Sequence, residues 1–116
     1  MPHLILEYSE GLEETVPIGK LIDTVIRAAA ESGAMEVKDL KARATPYRHF
    51  RLADGGTTFV HATVRLLAGR APEIKLRISS LIREQLAAVA PTVHSISVEI
   101  CDMDSNSYRK RVLGET

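Results

Sequence analysis

Apolar and polar residues alternate along "HLILEYSEG" near the start of the chain and along "FVHATVRLLAG" near its middle. In the first run Leu4 and Leu6 stand against His3, Ile5 and Glu7; in the second Val60, Ala62, Val64 and Leu66 stand against His61, Thr63 and Arg65. Successive strand residues point to opposite faces, so each run predicts a strand with one buried side. Two further strands are predicted at "LKARATPY" and "HSISVEICDM". Between the members of each pair the period changes to that of a helix. Ile18, Leu21, Ile22, Val25, Ile26 and Ala29 keep one buried face, with Gly33 as a stop. Ile74, Ile78, Leu81, Ile82, Leu86 and Val89 repeat the spacing, with Pro72 suited to a first turn and Pro91 just past the end.

The chain therefore reads as a tandem βαβ repeat, with pseudo-repeats at about residues 2–48 and 58–103 and a polar tail at 104–116. The segment "RHFRLADGGTT" between them is a connector rich in turn residues. The predicted fold class is α/β (α+β): one domain with a four-stranded mixed sheet and two amphipathic helices on one face. A sheet covered on one face leaves the other for self-association. Superposing the strand-end glycines Gly11 and Gly69 sets Pro2 opposite Val60 and Arg70 opposite Leu12.

Composition narrows the setting. A chain of 116 residues, 45% hydrophobic, supports a single small domain whose core would gain from association. Fifteen basic and fifteen acidic side chains cancel, which disfavours nucleic acid or an anionic membrane as partner. The lone Cys101 cannot form an internal disulfide, and no apolar run suits a signal peptide or a membrane span, so a cytoplasmic location is expected. Cys101 is expected as a packed core thiol. His3, His49, His61 and His94 lack metal-ligand spacing, so no metal is expected. The acidic run "GLEE" reads as a solvated cluster.

The candidate chemistry lies in "MPH" and "AGR". Methionine before a small residue is usually cleaved, and Pro2 would then carry a free secondary amine. An α-amine titrates near about pH 8, and burial or neighbouring cations lower that value. A base poised near the working pH can both remove and return a proton. Arg70 offers a planar fork for a carboxylate with a charge that does not titrate away. On the second strand Lys41, Arg43 and Thr45 share one face, with Leu40, Ala42 and Ala44 on the other, so Lys41 and Arg43 are further candidates for holding a carboxylate or polarising a carbonyl. His3 is a candidate for lining the pocket.

"MPH" before an apolar strand, the doubled βαβ layout, "ADG" in the connector and "LLAGR" closing the third strand resemble the tautomerase superfamily. Within it, the length and full-chain pattern are similar to the 5-carboxymethyl-2-hydroxymuconate isomerase family. The resemblance implies a homotrimer and a cofactor-free acid/base enzyme that uses an amino-terminal proline, with Arg70 binding a small carboxylate substrate. It also implies a place in homoprotocatechuate catabolism. Similar enzymes tend to carry arginine at both charged positions of the second strand, and Lys41 departs from that pattern. The alternatives are a phenylpyruvate-type tautomerase, a dehalogenase using the same proline, or a non-catalytic trimer that binds a small anion.

Overall fold

The computed structural model describes residues 1–114. Strand β1 (His3–Ser9) passes through a short 3-10 turn at Leu12–Glu14 into helix α1 (Ile18–Glu31), and a second such turn at Val37–Asp39 leads to β2 (Lys41–Tyr47). Strand β3 (Phe59–Leu67), helix α2 (Pro72–Val89) and β4 (Ser95–Met103) repeat the order. The sheet runs β2-β1-β3-β4, with β1 parallel to β2, β3 parallel to β4 and the two central strands antiparallel. The described tail beyond Met103 carries no helix or strand, and residues 115 and 116 of the predicted tail lie outside the described residues.

One core joins the two halves. Leu4, Leu6 and Tyr8 of β1 and Val60, Ala62, Val64 and Leu66 of β3 pack with Leu21, Val25, Ala28 and Ala29 of α1 and Ile78, Ile82 and Leu86 of α2. Strand residues of a single parity meet both helices, so the helices cover the same face of the sheet. Full burial of each large aliphatic side chain contributes about 1.5–3 kcal/mol, which makes this layer the main stabilising feature.

Three local expectations are corrected. Ile74 is 40% exposed, because the first turn of α2 runs before the helix meets the sheet, and Ile78 is the first side chain it buries completely. Cys101 is not a core thiol: Ile96, Val98 and Ile100 pack against the core, and the strand's period of two turns Cys101 to the opposite face with Ser97 and Glu99. The third concerns the repeat. The Lys41 N–H donates to the Pro2 carbonyl at 3.1 Å, and the Ser95 N–H donates to the Thr58 carbonyl at 3.2 Å. Measured from the strand starts, the counterpart of Pro2 is therefore Thr58, not Val60. Strand β1 has 7 residues and β3 has 9, so alignment on the closing glycines slips by the difference. An even slip preserves which side chains face inward.

Candidate active site

The antiparallel pairing of the central strands builds one corner from distant parts of the chain. Its register sets His3 opposite Arg65, so the start of β1 lies beside the end of β3. There the chain turns through Gly69, whose φ of 123° lies in the region glycine favours, and reaches Arg70. The loop after α1 returns over the same corner. Together they wall a cavity of about 360 Å³ lined by Met1, Pro2, Arg70, Gly33, Ala34, Met35, Glu36 and Asp39.

Arg70 is held from behind. Its Nη1 donates to the Leu67 carbonyl at 3.1 Å and its Nη2 to the Ala34 carbonyl at 3.3 Å, tying the end of β3 to the loop after α1. Neither acceptor is a carboxylate, so the guanidinium charge stays available while its direction is set. Pro2 is buried, and its nitrogen is a peptide nitrogen as long as Met1 precedes it. The free α-amine then belongs to Met1. Burial pushes that amine below its ordinary value; Asp39 acts against the shift, and Lys110, Lys41 and Arg70 add to it.

The remaining sequence candidates gather elsewhere. His3 pairs with Lys41 across the parallel ladder and shares its parity with Arg43, on the sheet face turned away from the helices. Arg43 Nη1 donates to His3 Nδ1 at 3.1 Å. The ring's other nitrogen, Nε2, therefore carries the proton and donates to the Tyr108 hydroxyl at 3.0 Å. Burial, then Arg43, Lys41, the terminal amine and Arg65 lower the His3 pKa, which favours this neutral ring. The structure thus brings Pro2 and Arg70 into one cavity, while His3 and Arg43 lie on the opposite face of the sheet. Lys41 joins the two settings, since its backbone is bonded to Pro2 and its charge is felt at the terminal amine.

Sequence reasoning missed Glu36 and Asp39 in the cavity and Tyr108 on His3. "EVKD" offers no periodic signal, because those residues lie in and around a 3-10 turn. Tyr108 reaches His3 across 105 positions of sequence, a contact no local pattern announces. On the open face His61 accepts from Ser97 Oγ at 2.6 Å and donates to Glu99 at 2.9 Å. Burial and then Glu99 push the neighbouring Cys101 thiol up, away from a reactive thiolate. Among the described residues no group of three or more His, Cys, Asp or Glu side chains is gathered as for a metal. Nor is any described helix long and apolar enough to cross a membrane.

Comparison with known proteins places this corner in context. The family pattern described as 5-carboxymethyl-2-hydroxymuconate isomerase matches residues 2–112. A solved 5-carboxymethyl-2-hydroxymuconate isomerase from Deinococcus radiodurans R1 is 27% identical, with a TM-score of 0.74 over 95% of this chain and 88% of that one. A solved 5-carboxymethyl-2-hydroxymuconate delta-isomerase is 20% identical, with a TM-score of 0.75 over 97% of this chain and 88% of its own. A fused 4-OT described as a symmetric trimer shares the fold at 18% identity and a TM-score of 0.76, over 98% of this chain and 94% of its own. No curated protein sequence matches the chain. With the tandem βαβ fold and a match over nearly its whole length, the chain belongs to the 5-carboxymethyl-2-hydroxymuconate isomerase family and is an isomerase of the tautomerase type.

Proposed function

We propose that the protein isomerises an unsaturated 2-hydroxy polycarboxylate such as 5-carboxymethyl-2-hydroxymuconate, with Pro2, freed by removal of Met1, as the general base. The observation that carries this reading is the shared cavity of Pro2 and Arg70 in a chain of this family. The Pro2 amine takes the proton of the 2-hydroxyl as the C2–O bond becomes a carbonyl. The electron pair moves along the conjugated chain, and the same proton is returned to a carbon farther along it. No proton is gained or lost overall, and the protein's own groups suffice for each step. Arg70 holds a carboxylate, and fixed N–H donors stabilise negative charge as it forms without reorganising.

Lys41 adds positive potential at the terminal amine. In this reading Arg43 and His3 reach substrate only where a neighbouring subunit meets the open sheet face. That arrangement suits a homotrimer, as in the trimeric fused 4-OT with this fold. The setting is cytoplasmic catabolism of homoprotocatechuate.

The reading is tested by rates on 5-carboxymethyl-2-hydroxymuconate in three preparations of verified intact mass. Processed wild type should exceed Pro2→Ala, whose primary amine is more flexible, and Pro2→Ala should exceed a form that keeps Met1. General-base terms of about 10²–10⁴ set the scale of the loss. Equal rates in the processed and Met1-retaining proteins would overturn the assignment. A monomer mass by light scattering at micromolar concentration would overturn the trimer.

A further inference from the structure

The cavity that holds Pro2 and Arg70 also holds two carboxylates for which the proposed reaction has no use. Glu36 and Asp39 both line it. Like charges repel, so acidic side chains in a site for a polycarboxylate work against substrate binding. The two differ in what surrounds them. Glu36 pairs with Lys38 at 3.8 Å, with both side chains more than 70% exposed, as befits a solvated rim pair. Asp39 is half-buried and forms no ion pair among the described residues.

The backbone fixes Asp39 relative to the terminus. It closes the 3-10 turn, its N–H donates to the Glu36 carbonyl at 3.0 Å, and two residues later Lys41 is bonded to the Pro2 carbonyl. Arg70 of the turn after β3 and Glu36 and Asp39 of the loop after α1 line the cavity with the terminus, and the charges of Lys41 of β2 and Lys110 of the tail are felt at the terminal amine, which in turn acts on His3 of β1. Burial and the three cations all disfavour an ammonium there, and Asp39 favours it. A shuttle base must hold its proton between oxygen and carbon. With only burial and cations around it, the amine would be a poor acceptor.

We propose that Asp39 is a positioning residue, the counter-charge that stabilises the protonated terminal amine between its taking the proton from the substrate and returning it. The inference rests on the reading of Pro2 as the base. Once Met1 is removed, the amine sits at Pro2, inside the cavity that Asp39 lines.

The test uses processed full-length protein labelled with ¹⁵N-proline, titrated by NMR at the terminal amine beside a pH–rate profile on 5-carboxymethyl-2-hydroxymuconate. Asp39→Asn should move the amine midpoint to lower pH, and Asp39→Glu should restore it. The acid limb should move with the amine, leaving Asp39→Asn about two- to tenfold faster there, relative to its own plateau, than wild type. Asp39→Ser provides the same comparison should Asp39→Asn lose the fold. An unmoved amine midpoint in a folded neutral variant overturns the inference and leaves Pro2 as the base. An amine that moves while the rate profile stays in place overturns the role of Pro2, and with it the role of Asp39 in the reaction.

Discussion

The two halves of the chain share one order of elements and end in opposite fates at equivalent corners. In the first half the loop between helix and strand spans residues 32–40 and walls a cavity with Gly33, Ala34, Met35, Glu36 and Asp39. In the second half it spans only 90–94 and lines no such cavity: Ala90 and Val93 are buried, Pro91, Thr92 and His94 are exposed, and the His94 N–H donates to Thr58 Oγ1 at 2.9 Å. Thr58 occupies the place of Pro2 but lies mid-chain, where no backbone nitrogen is a free amine. After the closing glycine, Leu12 is buried in the core where Arg70 faces a cavity. A doubled fold makes two similar corners. In the proposed reaction, chain continuity and loop length decide which of them carries the acid/base chemistry.

The sharpest way to break that comparison is to truncate the two residues after the glycines. Leu12→Ala should cost about 2–5 kcal/mol of stability in urea unfolding, through lost burial and the cavity left behind, while the folded fraction keeps its kcat/KM. Arg70→Ala should do the reverse. It loses two hydrogen bonds to backbone carbonyls, worth about 1–2 kcal/mol together. Its kcat/KM for a carboxylate substrate should fall by about 2–5 kcal/mol of binding, with Arg70→Lys recovering part because the charge remains and the fork is lost. Wild-type kinetics in both Arg70 variants would make Arg70 a surface arginine and erase the contrast.

What could be read without the structure follows from periodicity. Leu4 and Leu6, Val60 to Leu66, and the helical series of Leu21 and Ile78 announced their elements, because a buried face imposes a regular spacing on any sequence. Pro2 and Arg70 were singled out through the motifs around them. Their shared cavity depends on the antiparallel register of β1 against β3, a long-range pairing with no local trace. The glycine alignment slipped because β3 is longer, a difference that leaves parity intact and so leaves no mark in the pattern. Cys101 was expected in the core, whereas the alternation of β4 places it outward with Ser97 and Glu99. Parity put Lys41 and Arg43 on one face; that this face lies away from the Pro2 cavity required the topology.

A smaller effect should separate the corners at the glycines themselves. Gly11 has φ 97° and Gly69 φ 123°, and a Cβ built on either meets nothing within 4 Å. Substitution to alanine therefore carries only a conformational cost, about 1–2 kcal/mol at each. The two variants should unfold at similar urea midpoints. Only Gly69→Ala should also raise KM, because it re-aims the turn that presents Arg70. A KM effect of equal size in Gly11→Ala would show that the corners are coupled through the core.

The smallest effect should come from the second corner, and it should depend on pH. His94 there donates to Asp54 at 2.8 Å, and the Asp54 carboxyl is held below its ordinary value first by that bond and then by the Gly56 N–H. A carboxyl whose folded value is depressed adds stability above its unfolded value, and that stability is lost as pH falls through the folded one. The acid side of the stability curve should therefore be slightly flatter in Asp54→Asn than in wild type. The pair is well exposed, so the difference should be small and should shrink with added salt. Thr58→Val, which removes the acceptor for the His94 N–H, should cost about 0.5–1.5 kcal/mol at neutral pH. Neither variant should alter kcat/KM, since both act at the corner away from Pro2. A rate change in either one, measured where the protein is fully folded, would mean that the second corner takes part in catalysis and that the division between the halves is not as drawn.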